Sequence, residues 1–183
     1  MPVRKTILLF ALLGNLFSIP TWAQAARAEL GSIHSPRQIG MTYMKTGEEG
    51  EPWTLCRLAA DIWDVMRGKC ATPGFKFQYN VCYPLKSWTS VNGTCIDLVA
   101  GPGTTAGLVR DRGTEKFQAM MGLCGMIGAY HHFAGGVAIG VDLTGELAIC
   151  ARGREFGNTR LSFYDNGILH SIIPEISITY QFR

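Results

Sequence analysis

The stretch PEISITYQFR, Pro174 to Arg183, alternates without a break. Ile176, Ile178, Tyr180 and Phe182 fall on one side, and Glu175, Ser177, Thr179 and Gln181 fall on the other. A period of two is a β-strand with one apolar face and one polar face. Such a strand fits a soluble sheet with its apolar face inward, or a membrane barrel with that face turned out to lipid. The rest of the chain decides between the two.

The same alternation recurs. In FKFQYNVCYPL, Phe75, Phe77, Tyr79, Val81, Tyr83 and Leu85 oppose Lys76, Gln78, Asn80, Cys82 and Pro84. In GVAIGVDLTG, Val137, Ile139, Val141 and Leu143 oppose Ala138, Gly140, Asp142 and Thr144. CIDLVAG sets Ile96, Leu98 and Ala100 against Asp97, Val99 and Gly101, and WTLCRLAADIW sets Cys56, Leu58, Ala60 and Ile62 against Arg57, Ala59 and Asp61. FQAMMGLC and RQIGMTYMK carry the pattern more weakly. Turn-rich pieces separate these runs. The expected strands lie near 37–46, 53–66, 74–87, 94–110, 115–131, 135–150, 157–165 and 170–183, about eight in all.

The composition of the polar face decides the direction of the sheet. A soluble sheet would fill its second face with Lys and Glu. Here that face is mostly Gly, Ala, Ser, Thr, Gln and Asn, with isolated charges. An eight-stranded barrel has an interior just wide enough for side chains to fill it, and small residues with a few opposed charges suit that space. The expected fold is therefore all-β: a closed, antiparallel, up-and-down transmembrane barrel. Arg57, Asp61, Lys76, Asp97, Asp142, Glu146 and Glu175 are expected to point inward as a lumenal polar network, since buried charges need partners. The acids outnumber Arg57 and Lys76, so some are expected to be protonated or paired with loop cations. Trp53, Trp63, Tyr83, Trp88, Tyr180 and Phe182 lie near expected strand ends, where an aromatic girdle meets the headgroups.

The first residues bear on location. Arg4 and Lys5 precede the 11 residues Ile7 to Phe17, followed by Ile19-Pro20 and Ala23-Gln24-Ala25. Basic start, short apolar core and A-x-A site have the layout of a cleaved signal peptide over residues 1–25; an 11-residue core is too short to cross about 30 Å as a helix. The expected mature barrel domain is 26–183, exported to the bacterial outer membrane. Its 15 basic and 14 acidic residues (Arg4 and Lys5 removed) give no electrostatic footprint for nucleic acid. Outer-membrane lipid and lipopolysaccharide are the expected surroundings. With eight strands both termini share the periplasmic side, and KTGEEGEP, KSWTSVNG and FYDNGILHS are the expected surface loops, with no extracellular partner named by their residues.

The stretches TPGFKFQYN, NGTCIDLVAGPG with GLVRD after it, FGNTRLSFYDNG and PEISITYQF resemble the small outer-membrane β-barrel proteins of Bacteroidota-type bacteria. These motifs are turns, strands and the closing strand. The resemblance implies location and fold, and it implies that Tyr180 and Phe182 form the terminal signal read by the barrel-assembly machinery, with Arg183 a one-residue departure.

Chemistry is sparse. Cys56, Cys70, Cys82, Cys95, Cys124 and Cys150 include no CxxC pair, so neither a metal nor another cofactor is expected. Parity points Cys56 to lipid and Cys82, Cys95, Cys124 and Cys150 to the lumen, with free thiols and lumenal disulfides both open. Small outer-membrane barrels include lipid A-modifying enzymes, and the candidate groups for that alternative are His131, His132, His170, Ser171 and Glu175. Adjacent His170 and Ser171 point to opposite faces of a strand, and His131-His132 is expected at a turn, so no catalytic residue is assigned. A soluble periplasmic barrel binding an apolar ligand, apolar faces inward, is the remaining alternative.

Overall fold

Alternation is realised as eight strands in a computed structural model, which describes residues 27–47, 51–90, 94–110, 115–151 and 168–182. They are β1 (Ala28–His34), β2 (Gln38–Lys45), β3 (Trp53–Asp61), β4 (Gly74–Thr89), β5 (Cys95–Arg110), β6 (Phe117–His132), β7 (Val137–Ala151) and β8 (Ile168–Phe182). Each pairs antiparallel with the next, and β8 returns to β1 with Phe182 opposite Ala28 and Ile176 opposite His34. The protein is a closed eight-stranded, up-and-down antiparallel β-barrel.

Register fixes the tilt. The row from His131 through Ile139, Ile178, Ser32, Met41, Leu58, Phe77 and Ala106 comes back to β6 at Met121, ten residues from where it began. A shear of that size on eight strands tilts them about 40° from the axis. Among the described residues the one break in register, between Pro84 and Lys86 on β4, falls at a proline, which has no N–H to give the ladder.

The apolar faces point outward. Leu58, Leu123, Val141, Leu147 and Ile172 are more than half exposed, whereas Arg57 and Glu175 on the other face are 1% exposed. The inward-facing apolar arrangement that a soluble, apolar-ligand barrel requires is the reverse of this one.

The wall is uneven. β1, β2 and β3 have 7, 8 and 9 residues, against 15 or 16 in β4 to β8. At 3.3 Å per residue and this tilt, the short strands rise about 18–23 Å and the long ones about 40 Å. β8 runs eight residues past Ile176, the partner of His34, to reach Ile168. The rim away from the termini is therefore notched over β1 to β3.

Three expectations change, and two others fall on residues outside those described. Ala28–His34 forms a strand that the sequence reading passed over, whereas the expected strand at 157–165 lies outside the described residues and β7 pairs directly with β8. The signal segment 1–25 also lies outside them. Because β1 precedes the others, KTGEEGEP and KSWTSVNG come at the end that carries the termini, not at the opposite end; FYDNGILHS leads into β8 at the opposite end and lies mostly outside the described residues. The strand expected over 53–66 stops at Asp61, and α1 (Trp63–Met66) follows. Among the described residues no helix is long and apolar enough to cross a membrane, which says nothing of strands.

Candidate functional site: a filled lumen

The inward face of the barrel holds three polar clusters and two apolar layers. At its centre Arg57, on β3, forks onto Asp142 of β7: Nη1 donates to Oδ1 at 3.0 Å and Nη2 to Oδ2 at 2.6 Å. Nη1 also donates to Glu175 Oε2 of β8 at 2.5 Å. A planar guanidinium suits this bidentate arrangement as a lysine would not. Thr144 Oγ1 donates to Glu175 at 3.2 Å, Tyr130 Oη donates to Asp142 Oδ2 at 3.1 Å, and the Gln38 amide donates to Glu175. One cation faces two carboxylates, with hydroxyl and amide donors filling remaining acceptor sites. The cluster ties β2 and β3 to β6, β7 and β8 across the lumen.

Toward the notched rim Glu146 of β7 accepts from Lys76 Nζ at 2.7 Å, Gln78 Nε2 at 2.8 Å, Ser171 Oγ at 2.8 Å and Thr105 Oγ1 at 3.3 Å. Asp61 lies 3.9 Å from Lys76 and 3.5 Å from Arg37 on the β1–β2 turn, so a connection cation does supply one of the inward acids. A cavity of about 30 Å³ remains beside this cluster, room for a water or two.

Toward the termini His132 reaches between two carboxylates, with Nδ1 3.1 Å from Glu29 Oε1 and Nε2 3.4 Å from Asp97 Oδ2. Thr179 Oγ1 donates to Glu29 Oε2 at 2.6 Å. Between this cluster and the central one lies a buried apolar layer of Met44, Trp53, Leu55, Cys82, Val99, Met126 and Tyr130. A second layer, Val109, Met120, Ala148 and Cys150, lies on the side of the notched rim. Side chains close the lumen at several levels.

Tyr130 links the apolar layer to the central cluster. Its ring lies over Gly140, its cross-strand partner, where an added Cβ would come 2.4 Å from Cε1. Gly140→Val is therefore expected to push the ring off Asp142 and cost about 1–3 kcal/mol by overpacking. Urea titration of the folded barrel checks this, with Ile139→Val on the outer face as the neutral comparison.

All seven expected network residues face the interior, but in separate groups: Arg57, Asp142 and Glu175 together, Lys76, Glu146 and Asp61 together, and Asp97 apart with His132. The girdle expectation divides. Tyr83, Trp88, Tyr180 and Phe182 are about half exposed on the outer face, with Tyr180 and Phe182 edge to face at 5.7 Å. Trp53 is instead 6% exposed inside the barrel, 6.0 Å from Tyr130 and 5.9 Å from His132. It shares its parity with Arg57, and that parity sends it inward. Trp63 sits on α1 beyond the end of β3 rather than on a strand, stacked under Arg67 at 5.2 Å.

Among the described residues the side chains of the candidate histidines stand apart from one another. His131 and His132 are the last two residues of β6, not a turn; the turn follows at Phe133–Gly136. His131 faces outward, stacked on Phe133 at 4.3 Å. His170 is exposed, while Ser171 turns inward to Glu146. Sequence reading missed an outward pair on β1, with His34 Nε2 3.0 Å from Ser32 Oγ; among the described residues no carboxylate hydrogen-bonds His34, so the third member of a nucleophilic triad is missing there. The six cysteines form no disulfide bonds with one another. Among the described residues no group of three or more His, Cys, Asp or Glu is arranged to hold a metal ion.

No protein-family model matches the chain, and comparisons with curated proteins and with solved structures find no match.

Proposed function

We propose that the protein is an integral outer-membrane β-barrel with a plugged lumen, exported through a cleaved signal peptide, whose role is structural or surface-interacting through the connections at the notched rim. The observation that carries this reading is the inversion of the barrel, with an apolar sheath on the outside of a closed ladder and charges sealed inside. In water such a sheath far exceeds the apolar patches that soluble monomers expose; in hydrocarbon it is the required outer surface, and closure leaves no unpaired strand edge around the shared wall. An even strand count puts both termini on one side, the periplasmic one in this reading, and the outward Trp88, Tyr180 and Phe182 lie at that rim. Outer-membrane lipid and lipopolysaccharide are the surroundings, and the barrel-assembly machinery is the partner during biogenesis, with Phe182 as its terminal signal.

Fluorescence quenching tests the inversion. In vesicles containing brominated lipid, a variant keeping only Trp88 is expected to be quenched, and one keeping only Trp53 to be protected. Quenching of Trp53 with protection of Trp88 would turn the barrel inside out. Planar-bilayer recording is expected to give no open-channel current of porin size, because Arg57, Tyr130, Trp53 and Glu146 occupy the lumen; large steady conductance steps would contradict the plug.

A further inference from the structure

We propose that the notch over β1 to β3 is a docking surface for the phosphate groups of outer-leaflet glycolipid, held by Arg67 and Lys69. The inference rests on the membrane-barrel reading and adds a site to it.

Two independent observations meet at this place. The first is length: the apolar band of an outer-membrane barrel is about 25 Å tall, and β1 and β2 at about 18–20 Å fall short of it. A short wall is accommodated by thinning the bilayer beside it, which draws the headgroup plane down toward the rim. The second is chemistry: the connection that leaves β3 at the notched stretch of the rim carries Trp63, Met66, Arg67 and Lys69. Met66 is 69% exposed, and Arg67 and Lys69 are exposed. The connection is fastened to the β1–β2 turn by the Ile62 N–H, which donates to Arg37 O at 2.9 Å.

Charge separates these two cations from their neighbours. Arg37 is committed to Asp61 at 3.5 Å, and Arg110 to Asp64 at 3.8 Å and Glu115 at 3.5 Å. Among the described residues neither Arg67 nor Lys69 has a carboxylate partner. Arg67 lies over the Trp63 ring at 5.2 Å, an arrangement that holds a guanidinium in place while leaving its N–H groups open. A guanidinium presents paired donors to a phosphate, and an ammonium adds a second point charge. Trp63 itself lines the cavity at the mouth of the lumen, and the exposed Met66 offers the apolar contact to the acyl region.

The test is native mass spectrometry of the detergent-solubilised full barrel, titrated with bis-phosphorylated lipid A and separately with its dephosphorylated form. Wild type is expected to retain the phosphorylated lipid and to bind the dephosphorylated one about tenfold more weakly. Arg67→Gln with Lys69→Gln is expected to lose the same factor, and Arg67→Lys with Lys69→Arg to keep most of the binding. Lys86→Gln, which removes a like cation lying 5.0 Å over Trp88 at the other rim, is expected to leave it unchanged. Equal binding by wild type and the double glutamine variant, or equal loss in the Lys86 variant, would overturn the proposal. Each sample is also run boiled and unboiled on a gel: a heat-dependent shift with no effect of Arg67 and Lys69 defeats this site alone, whereas absence of the shift in wild type defeats the membrane barrel and the site with it.

Discussion

Arg57→Ala is expected to lower the stability of the folded barrel by about 3–5 kcal/mol, the cost of stranding buried carboxylates without their cation. Arg57 is 1% exposed, and both carboxylates it holds, Asp142 and Glu175, are buried with it. Its removal leaves two negative groups facing each other in a space that Thr144, Tyr130 and Gln38 cannot neutralise. Because the cluster spans the lumen, the loss is global and not confined to β3. Equilibrium unfolding in urea from lipid vesicles reads the change. The companion variant carries Arg57→Met, Asp142→Leu and Glu175→Met together, removing every charge of the cluster at similar volume; it is expected to recover most of the loss, as buried ion pairs replaced by packed apolar groups commonly do. A single variant as stable as wild type would show that the cluster is not the lumenal tie described here.

Leu143→Arg is expected to cost about 2–4 kcal/mol when the barrel folds into a bilayer, the penalty for a cation on the lipid face near the midplane. Leu143 lies midway along β7, 45% exposed on the outer side. On a water-facing surface the same change is nearly neutral, within about 0.5 kcal/mol. The size of the effect therefore reports the solvent that this face meets. Leu143→Ala, which shortens the side chain without a charge, separates the electrostatic cost from the loss of contact. Folding yield and urea midpoint in vesicles are the readouts.

The architecture was legible because a barrel wall obeys one rule at every strand: alternate residues must suit two different surroundings. That rule placed Lys76 and Phe77, Asp142 and Leu143, and Glu175 and Ile176 on their correct sides. It failed where the pattern is faint. β1, AELGSIH, sends only Leu30 outward as a large apolar residue and puts Ile33 inside at 0% exposure, so its alternation runs against the usual sign and the strand went unrecognised. Missing it reversed the end of the barrel assigned to the loops that follow β2 and β4.

Trp53 shows the opposite failure, in which residue type was weighed over parity. Tryptophan near a strand end suggests a girdle, yet Trp53 is two and four residues from inward-facing Leu55 and Arg57. The partners inside the lumen had no local signal. Glu29 and His132 are 103 positions apart, and Arg57 and Asp142 are 85 apart; only closure of the barrel brings them together. Parity counted from Cys124 would have sent Met126, Tyr130 and His132 inward, although not to those particular partners. The notch was equally hidden, since it depends on strand lengths and register and not on any one segment.

On the reading proposed above, the apolar sheath of this closed barrel is the surface that meets a membrane. Fractionation of cells exporting the protein, followed by electrophoresis of boiled and unboiled detergent extracts of each fraction, decides the matter. Recovery in the outer membrane, with a mobility that changes on boiling as the closed barrel unfolds, is the predicted result. A water-soluble periplasmic protein with the same mobility before and after boiling would contradict it.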